Sequence, residues 1–195
     1  MRVGSSWDDS CVYLENERPQ LKIAFFAGHL SRRASGVREV IEHLSGALIR
    51  RGHDVHVFGL EDQAWRDGDK DRWNGAPATV AWPLGPRSFG YTPVWGPALR
   101  RFDPDLVHLH GIWMANSAIA ANWAERSGKP LVISPHGMLS EVALGYSPLR
   151  KRVVSWLYQN RCFRRAALFH ASAAPEEDEI REYGLAAPVT VLPIG

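Results

Sequence analysis

Apolar residues in this chain fall into short runs, separated by stretches of helical spacing and by polar, glycine-rich turns. Leu21-Lys22-Ile23-Ala24-Phe25-Phe26-Ala27 is the first run and has the composition of a buried strand. A loop over residues 28–35 follows. Val37, Val40, Ile41, Leu44 and Leu48 then recur at helical spacing across residues 36–51, and Gly52 suits the helix's C-terminal cap. Val55, Val57 and Phe58 make the next strand. Such a strand–helix–strand unit is of parallel type, with a right-handed crossover.

Residues 61–76 are polar and rich in Asp, Arg and Gly, and read as a loop. A strand is expected over residues 79–82 and a Gly/Pro-punctuated loop over 83–93. Thr92-Pro93 reads as an N-cap followed by proline at the first position of a short helix ending near Phe102. The alternation then repeats: strand 106–110, helix 117–127, strand 131–134, long helix 150–163, strand 168–171, helix 175–183, strand 189–192. This pattern predicts an α/β fold, an open, mostly parallel sheet with helices on both faces.

Composition narrows the class. The chain has 195 residues, 45% of them hydrophobic, which suits one packed domain. A net charge of +2 is too mild to argue nucleic-acid binding. The two cysteines, Cys11 and Cys162, have no CxxC or zinc spacing, and a reducing cytosol is expected. No apolar run reaches the ~18 residues that span a bilayer. Residues 1–20 lack the basic-then-apolar order of a secretion signal and read as a loose arm.

In parallel sheets of this kind, ligands bind at the carboxyl ends of the strands. Those ends are the loops 28–35, 111–116 and 135–145. Neither GxGxxG nor GxxxxGK[ST] occurs after the first strand. What remains there is Ser35-Gly36 opening a helix, whose free N–H groups could seat a phosphate; Ser35 as a plain N-cap is the alternative. His136 sits between Pro135 and Gly137 in a tight turn after an apolar strand. From there it could hydrogen-bond a sugar hydroxyl or a phosphate oxygen, or be a satisfied structural histidine. His108 and His110 share a strand face; His108 is expected to pack in the sheet and His110 to reach the cleft mouth. With His136 they could imitate a metal site, but no Asp or Glu lies close in sequence to complete it. Trp113 could stack on a sugar or lipid headgroup, or plug the gap between loop and helix. Arg32 and Arg33 could meet an anionic acceptor or be solvated charge. Across residues 149–165, basic side chains alternate with Trp156, Leu157, Tyr158 and Phe163, as in helices that lie on anionic membranes. The alternative has Val153, Val154, Leu157 and Phe163 facing the core.

Four segments together carry a family resemblance. They are Ser35-Gly36-Val37 with Arg51-Gly52-His53-Asp54-Val55, His108-Leu109-His110-Gly111, Ser134-Pro135-His136-Gly137-Met138, and Phe169-His170-Ala171-Ser172 through Glu176 to Val191-Leu192-Pro193-Ile194-Gly195. Over residues 21–195 the chain resembles the N-terminal Rossmann-like domain of a family 4 glycosyltransferase of GT-B architecture. The family often has a Gly-Gly pair where this chain has Ser35-Gly36. The resemblance implies a flexible arm at 1–20, an acceptor-side domain at 21–195, and a nucleotide-sugar domain absent from this chain. It implies transfer of a sugar, with retention, from a nucleotide-sugar donor to a glycan or lipid-linked acceptor, as in cell-surface polysaccharide synthesis. His136 would be the catalytic residue. Ser35 and Gly36 would lie at the donor phosphate, and Arg32, His110, Gly111, Trp113, Gly137 and Met138 at the acceptor. No metal or cofactor is implied, the nucleotide-sugar being a substrate. A cytoplasmic place, peripheral to the inner face of the membrane, is expected, with no nucleic-acid partner. The rival readings are a sugar-nucleotide epimerase or hydrolase of the same architecture, and a non-catalytic flavodoxin-like binding domain.

Overall fold

A computed structural model describes residues 19–193. The arm expected over residues 1–20 therefore lies outside the described residues except for Pro19 and Gln20, as do Cys11 and the closing Ile194-Gly195. Among the described residues seven strands and seven α-helices follow in this order: β1 (Lys22–His29), α1 (Ser35–Arg50), β2 (Asp54–Leu60), β3 (Ala78–Ala81), α2 (Trp95–Phe102), β4 (Leu106–His110), α3 (Ala115–Ser127), β5 (Leu131–Ser134), α4 (Glu141–Gly145), α5 (Pro148–Val154), α6 (Asn160–Arg165), β6 (Leu168–Ala171), α7 (Ala174–Glu182) and β7 (Val189–Val191).

All strands pair in parallel, in the order β3-β2-β1-β4-β5-β6-β7. The chain winds outward from β1 in one direction, then returns and winds outward from β4 in the other. That reversal opens a crevice above the carboxyl ends of β1 and β4.

The pleat divides the interior into two cores. Ile23, Phe25 and Ala27 of β1 pack with Val55, Val57 and Ile41 on the α1 side. Ala24 and Phe26 pack on the other side, with Trp95 and Leu99 of α2, Ala120 of α3, Cys162 and Phe163 of α6, and Ile180 of α7. Both faces of β1 are thus apolar, as a central parallel strand requires. Each large side chain so buried contributes about 1.5–3 kcal/mol.

Helices lie on both faces, but unevenly. Over β4 to β7 the α1 side carries no helix among the described residues. There His108, Val132, Leu168, His170 and Thr190 share one face, continued by Leu192. With Val40, His43, Leu44 and Ala47 of α1 they line an open groove of about 470 Å³.

Three stretches differ from the sequence expectation. The polar segment 61–76 is not a plain loop: it forms a π-turn at Trp65–Asp69 and a 3-10 turn at Lys70–Arg72. Asp62 starts this structure by accepting the Trp65 backbone N–H at 2.9 Å, and Trp65 packs edge-on against Trp73. Helix α2 starts at Trp95, later than Thr92-Pro93 suggested; Thr92 instead accepts the Val94 N–H at 3.3 Å. The long helix is real but interrupted, because a π-turn at Ser155–Gln159 joins α5 to α6. The extra residue per turn changes which side faces inward. Val154, Cys162 and Phe163 are buried, whereas Val153 and Leu157 are about half exposed, at 52% and 53%.

Candidate functional site

The crevice at the strand reversal holds a cleft of about 540 Å³. Its walls come from the ends of β1 and β2 (His29, Arg33, Glu61, Asp62), the loop before α2 (Arg87, Ser88), the loop after β4 (Ile112, Trp113, Met114), and the segment from Met138 to Lys151. The three loops singled out in the sequence therefore do converge on one sheet edge.

Two buried carboxylates set the first loop. Asp62 accepts the Ser31 hydroxyl at 2.7 Å and stands 3.6 Å from His29. Burial alone would raise its pKa, but the hydrogen bonds from Ser31 and Trp65 outweigh this and hold it below the ordinary carboxylate value. Asp69 accepts the Arg32 backbone N–H at 2.7 Å and pairs with the Arg32 guanidinium at 3.6 Å. Arg32 is thus occupied by Asp69, and of this adjacent pair it is Arg33 that lines the cleft. The 3-10 turn Arg32–Ala34 runs directly into α1, so Ala34 holds the cap position and Ser35-Gly36 form the first helical residues. Gly36 is exposed, and a Cβ there would meet nothing within 4 Å.

After β4, Gly111 has φ 79° and Trp113 has φ 74°. A side chain on Gly111 would come within 3.1 Å of the Met138 methyl, so the glycine lets Met138 lie across the loop. Trp113 is only 4% exposed. Its backbone N–H donates to Gln159 at 2.9 Å and its indole N–H to the Met138 carbonyl at 3.2 Å. Its ring meets Phe163 and Tyr183 edge-on. Trp113 therefore plugs the gap between loop and helices while still lining the cleft, with Lys151 lying over its ring.

After β5, His136 also adopts a left-handed conformation, φ 54°, followed by Gly137 at 70°. A non-glycine residue there costs of order 1 kcal/mol or more, so the surroundings must impose it. Glu176 does so. Its carboxylate, 6% exposed, accepts the Gly137 N–H at 2.9 Å and both the N–H and hydroxyl of Ser172 at 2.7 Å. Burial opposes ionisation, but these donors and His136 keep the Glu176 pKa low.

Beneath His136 lies a histidine cluster. His110 does not reach the cleft mouth, being 1% exposed. Its Nδ1 lies 3.0 Å from His136 Nε2, and its ring packs 4.1 Å from that of His108. His108 Nε2 is 2.7 Å from the Ser134 hydroxyl, which is 2.9 Å from His170 Nδ1. His170 Nε2 faces the Leu192 carbonyl at 3.0 Å. That carbonyl can only accept, so His170 carries its hydrogen on Nε2. The Ser134 hydroxyl then donates to His170 Nδ1 and accepts from His108 Nε2. Burial and the neighbouring imidazoles lower the pKa of His108 to about 3 and that of His110 well below its usual value. Burial also lowers His136, partly offset by Glu176. His108, His110 and His136 are therefore neutral near pH 7. Among the described residues, no three His, Cys, Asp or Glu side chains are disposed to hold a metal ion.

Sequence reasoning missed Asp62, Asp69, Glu176 and Gln159. Glu176 lay within a segment used for the family resemblance, but nothing local tied it to His136.

Residues 35–195 match the family described as the glycosyl transferase 4-like domain. No curated relative matches the sequence. Among solved structures, Anabaena HepE in complex with UDP and glucose aligns with a TM-score of 0.65 at 19% identity, covering 90% of this chain and 45% of that one. The lipopolysaccharide outer core galactosyltransferase WaaB, in its apo form, aligns at 0.56 and 18% identity, over 89% of this chain and 45% of its own. The UDP-GlcNAc 2-epimerase from Neisseria meningitidis, bound to UDP-GlcNAc, aligns at 0.56 and 14% identity, over 88% and 45%. At such identities the likeness is one of fold, and this chain spans under half the length of each.

Proposed function

Because the chain belongs to the glycosyl transferase 4-like domain family, and has the fold of a GT-B N-terminal domain, we propose that it forms the acceptor-side half of an enzyme that moves a sugar from a nucleotide-sugar donor to a glycan or lipid-linked acceptor, with retention of configuration. The observation that carries this reading is His136. It is held in a left-handed turn two residues before Met138, which lines the cleft, with Nε2 engaged by His110 and no partner on Nδ1 among the described residues.

In this reading the donor's phosphates approach the start of α1 at Ser35-Gly36, and the acceptor enters the cleft over Met138 and the loop holding Gly111 and Trp113. Gly137 serves by letting the turn pass close to the reacting groups. Retention would proceed on one face of the sugar: the acceptor hydroxyl attacks as the diphosphate leaves, and the leaving oxygen takes the hydroxyl proton. The chain's work is to position the acceptor and stabilise developing negative charge. His136, as a neutral N–H donor, suits the second task. Most nucleotide contacts would come from a second domain.

A membrane-peripheral place belongs to the same proposal. Val142, Tyr146, Leu149, Val153, Trp156 and Leu157 are 52–82% exposed, on the segment that supplies Tyr146, Arg150 and Lys151 to the cleft wall. Arg152 lies among them, whereas Arg161 and Arg165 are taken up by Glu125. Among the described residues, no helix is long and apolar enough to cross a membrane.

The test is nucleotide release from a panel of nucleotide-sugars by the protein that carries this domain, with and without glycan acceptors, and with the anomeric configuration of the product read by NMR. Acceptor-dependent turnover with retention supports the proposal. Turnover without any acceptor favours the epimerase or hydrolase reading, which rests on the fold likeness to the Neisseria enzyme.

A further inference from the structure

Charge in the cleft is distributed in a way that acceptor binding by hydroxyl groups alone does not require. The wall carries Arg33, Arg87, Arg150 and Lys151. The two acids that share the lining are already engaged: Glu61 holds Arg66 at 2.7 Å, and Asp62 holds Ser31 and the Trp65 N–H. None of the four cations has a carboxylate within ion-pair distance among the described residues.

Arg150 and Lys151 are adjacent and only partly exposed. One Arg150 Nη donates to the Ser88 carbonyl at 2.9 Å, which ties α5 across the cleft to the loop before α2. The Arg150 Nε is buried without a partner among the described residues. A buried donor left unpaired is costly and points to a group that completes it. Lys151 reaches the Ala143 carbonyl and lies 5.8 Å over the Trp113 ring. Burial and the neighbouring Arg150 both disfavour its charged form. The Arg87 guanidinium rests 4.8 Å over the Trp82 ring, a cation–π contact that uses none of its N–H donors.

We propose that Arg150 and Lys151, assisted by Arg33 and Arg87, form a subsite for a phosphate or diphosphate ester carried by the acceptor. The inference rests on the acceptor-cleft reading above and narrows it to an anionic acceptor. A multiply charged oxyanion pairs with several cations at once, accepts the free Arg150 Nε–H, and relieves the repulsion between Arg150 and Lys151. A cleft of about 540 Å³ has room for a sugar together with such a group.

The phosphate could belong to a soluble phosphorylated glycan or to a lipid headgroup. Both are tested with the 195-residue chain, by titrating inorganic pyrophosphate and following tryptophan fluorescence, Trp113 lying beneath Lys151. Saturable binding that weakens with added salt is expected. R150Q/K151Q should weaken it ~10-fold or more, R150K should retain most of it, and R164Q, on an exposed arginine outside the cleft, should leave it unchanged. Competition by glucose 6-phosphate alone identifies a soluble source; competition by phosphatidic acid vesicles as well identifies a lipid source. Absent or salt-insensitive binding, or equal loss in R164Q, overturns the subsite. If R150Q/K151Q does not fold, R150K and the salt dependence decide. The assay needs neither donor nor turnover. A failed transfer assay with intact pyrophosphate binding therefore counts against the glycosyltransferase reading, and the reverse pattern counts against the subsite alone.

Discussion

The imidazoles of His110 and His136 lie nearly parallel, 15° apart, with Nδ1 of the first 3.0 Å from Nε2 of the second. The other His110 nitrogen, Nε2, is buried without a partner among the described residues. An unpaired buried lone pair is more tolerable than an unpaired buried N–H. His110 therefore carries its hydrogen on Nδ1 and donates it to His136 Nε2. His136 must then carry its own hydrogen on Nδ1. The deeper histidine thus selects the tautomer of the outer one and makes it a donor.

Removing that outer donor should show in turnover. We expect H136A to lower sugar transfer by ~10²-fold or more while leaving the fold intact, as for other preorganised donors. Near-normal turnover would return His136 to a structural role.

The partner can be tested separately. A His136 that gained a proton would set its own Nε2–H against the Nδ1–H of His110, so His110 favours the neutral form. In H110F the opposing hydrogen is gone and the ring volume is kept. The His136 pKa, followed by NMR, should rise but stay below its ordinary value of about 6.5, because the burial that chiefly lowers it remains, and the acid limb of the pH–rate profile should move up with it. A filler role for His110 would leave the pKa in place.

Stability should fall on acidification earlier than carboxylates alone allow. His108, His110 and His136 have folded pKa values below the unfolded one. Between about pH 6.5 and the folded values, the unfolded chain binds more protons, so stability is full above 6.5 and falls as pH drops. Each histidine contributes up to about 1.4 kcal/mol per pH unit. Glu176 and Asp62 add their loss only below about pH 4.5, through the carboxylate range. Urea unfolding at pH 7.5, 6.5 and 5.5 measures the slope, and a flat profile over that range contradicts the buried neutral cluster.

Glu176 should matter to both fold and chemistry. E176Q keeps the shape but replaces one accepting oxygen with a donor, against three donors now satisfied by one carboxylate. We expect a loss of about 1.5–3 kcal/mol in stability and slower turnover from a loosened His136 turn. Denaturant midpoints and kcat measured together test this, and an unchanged kcat would separate the turn from the chemistry.

For the membrane, L149S/W156S should reduce co-sedimentation with anionic vesicles and leave thermal stability nearly unchanged, since Leu149 and Trp156 are 79% and 82% exposed. Arg152→Gln should have a smaller, salt-sensitive effect, worth up to ~1 kcal/mol near the surface. Wild type that fails to sediment at low salt removes the membrane from the proposal.

How far the sequence revealed this depended on the range of each interaction. Strands β4, β5 and β6 were readable at their observed bounds, because a run such as Leu131-Val132-Ile133-Ser134 is apolar on both faces and closed by proline. The glycosyltransferase resemblance likewise rested on contiguous motifs. Contacts across the fold were not readable. Asp62 meets Ser31 across 31 residues and Glu176 meets Gly137 across 39, and each alone looks like surface charge. The π-turn at Ser155–Gln159 escaped because helical spacing assumes a constant rotation, so Val153 and Leu157 looked like core candidates. Depth misled at His110: period-two alternation gives the face of a strand, not what lies above it.

The open groove over β4 to β7 has a practical side. Dyes such as ANS brighten on accessible apolar surface, and their binding is ordinarily taken as a sign of a molten or damaged protein. Here Val132, Leu168 and the 57%-exposed Leu192 present such a surface in the native fold. A bright sample of this chain with sharp near-ultraviolet dichroism would be intact. Dye fluorescence alone would wrongly condemn well-folded material, and variants of the histidine cluster should be judged for folding by dichroism and cooperative melting instead.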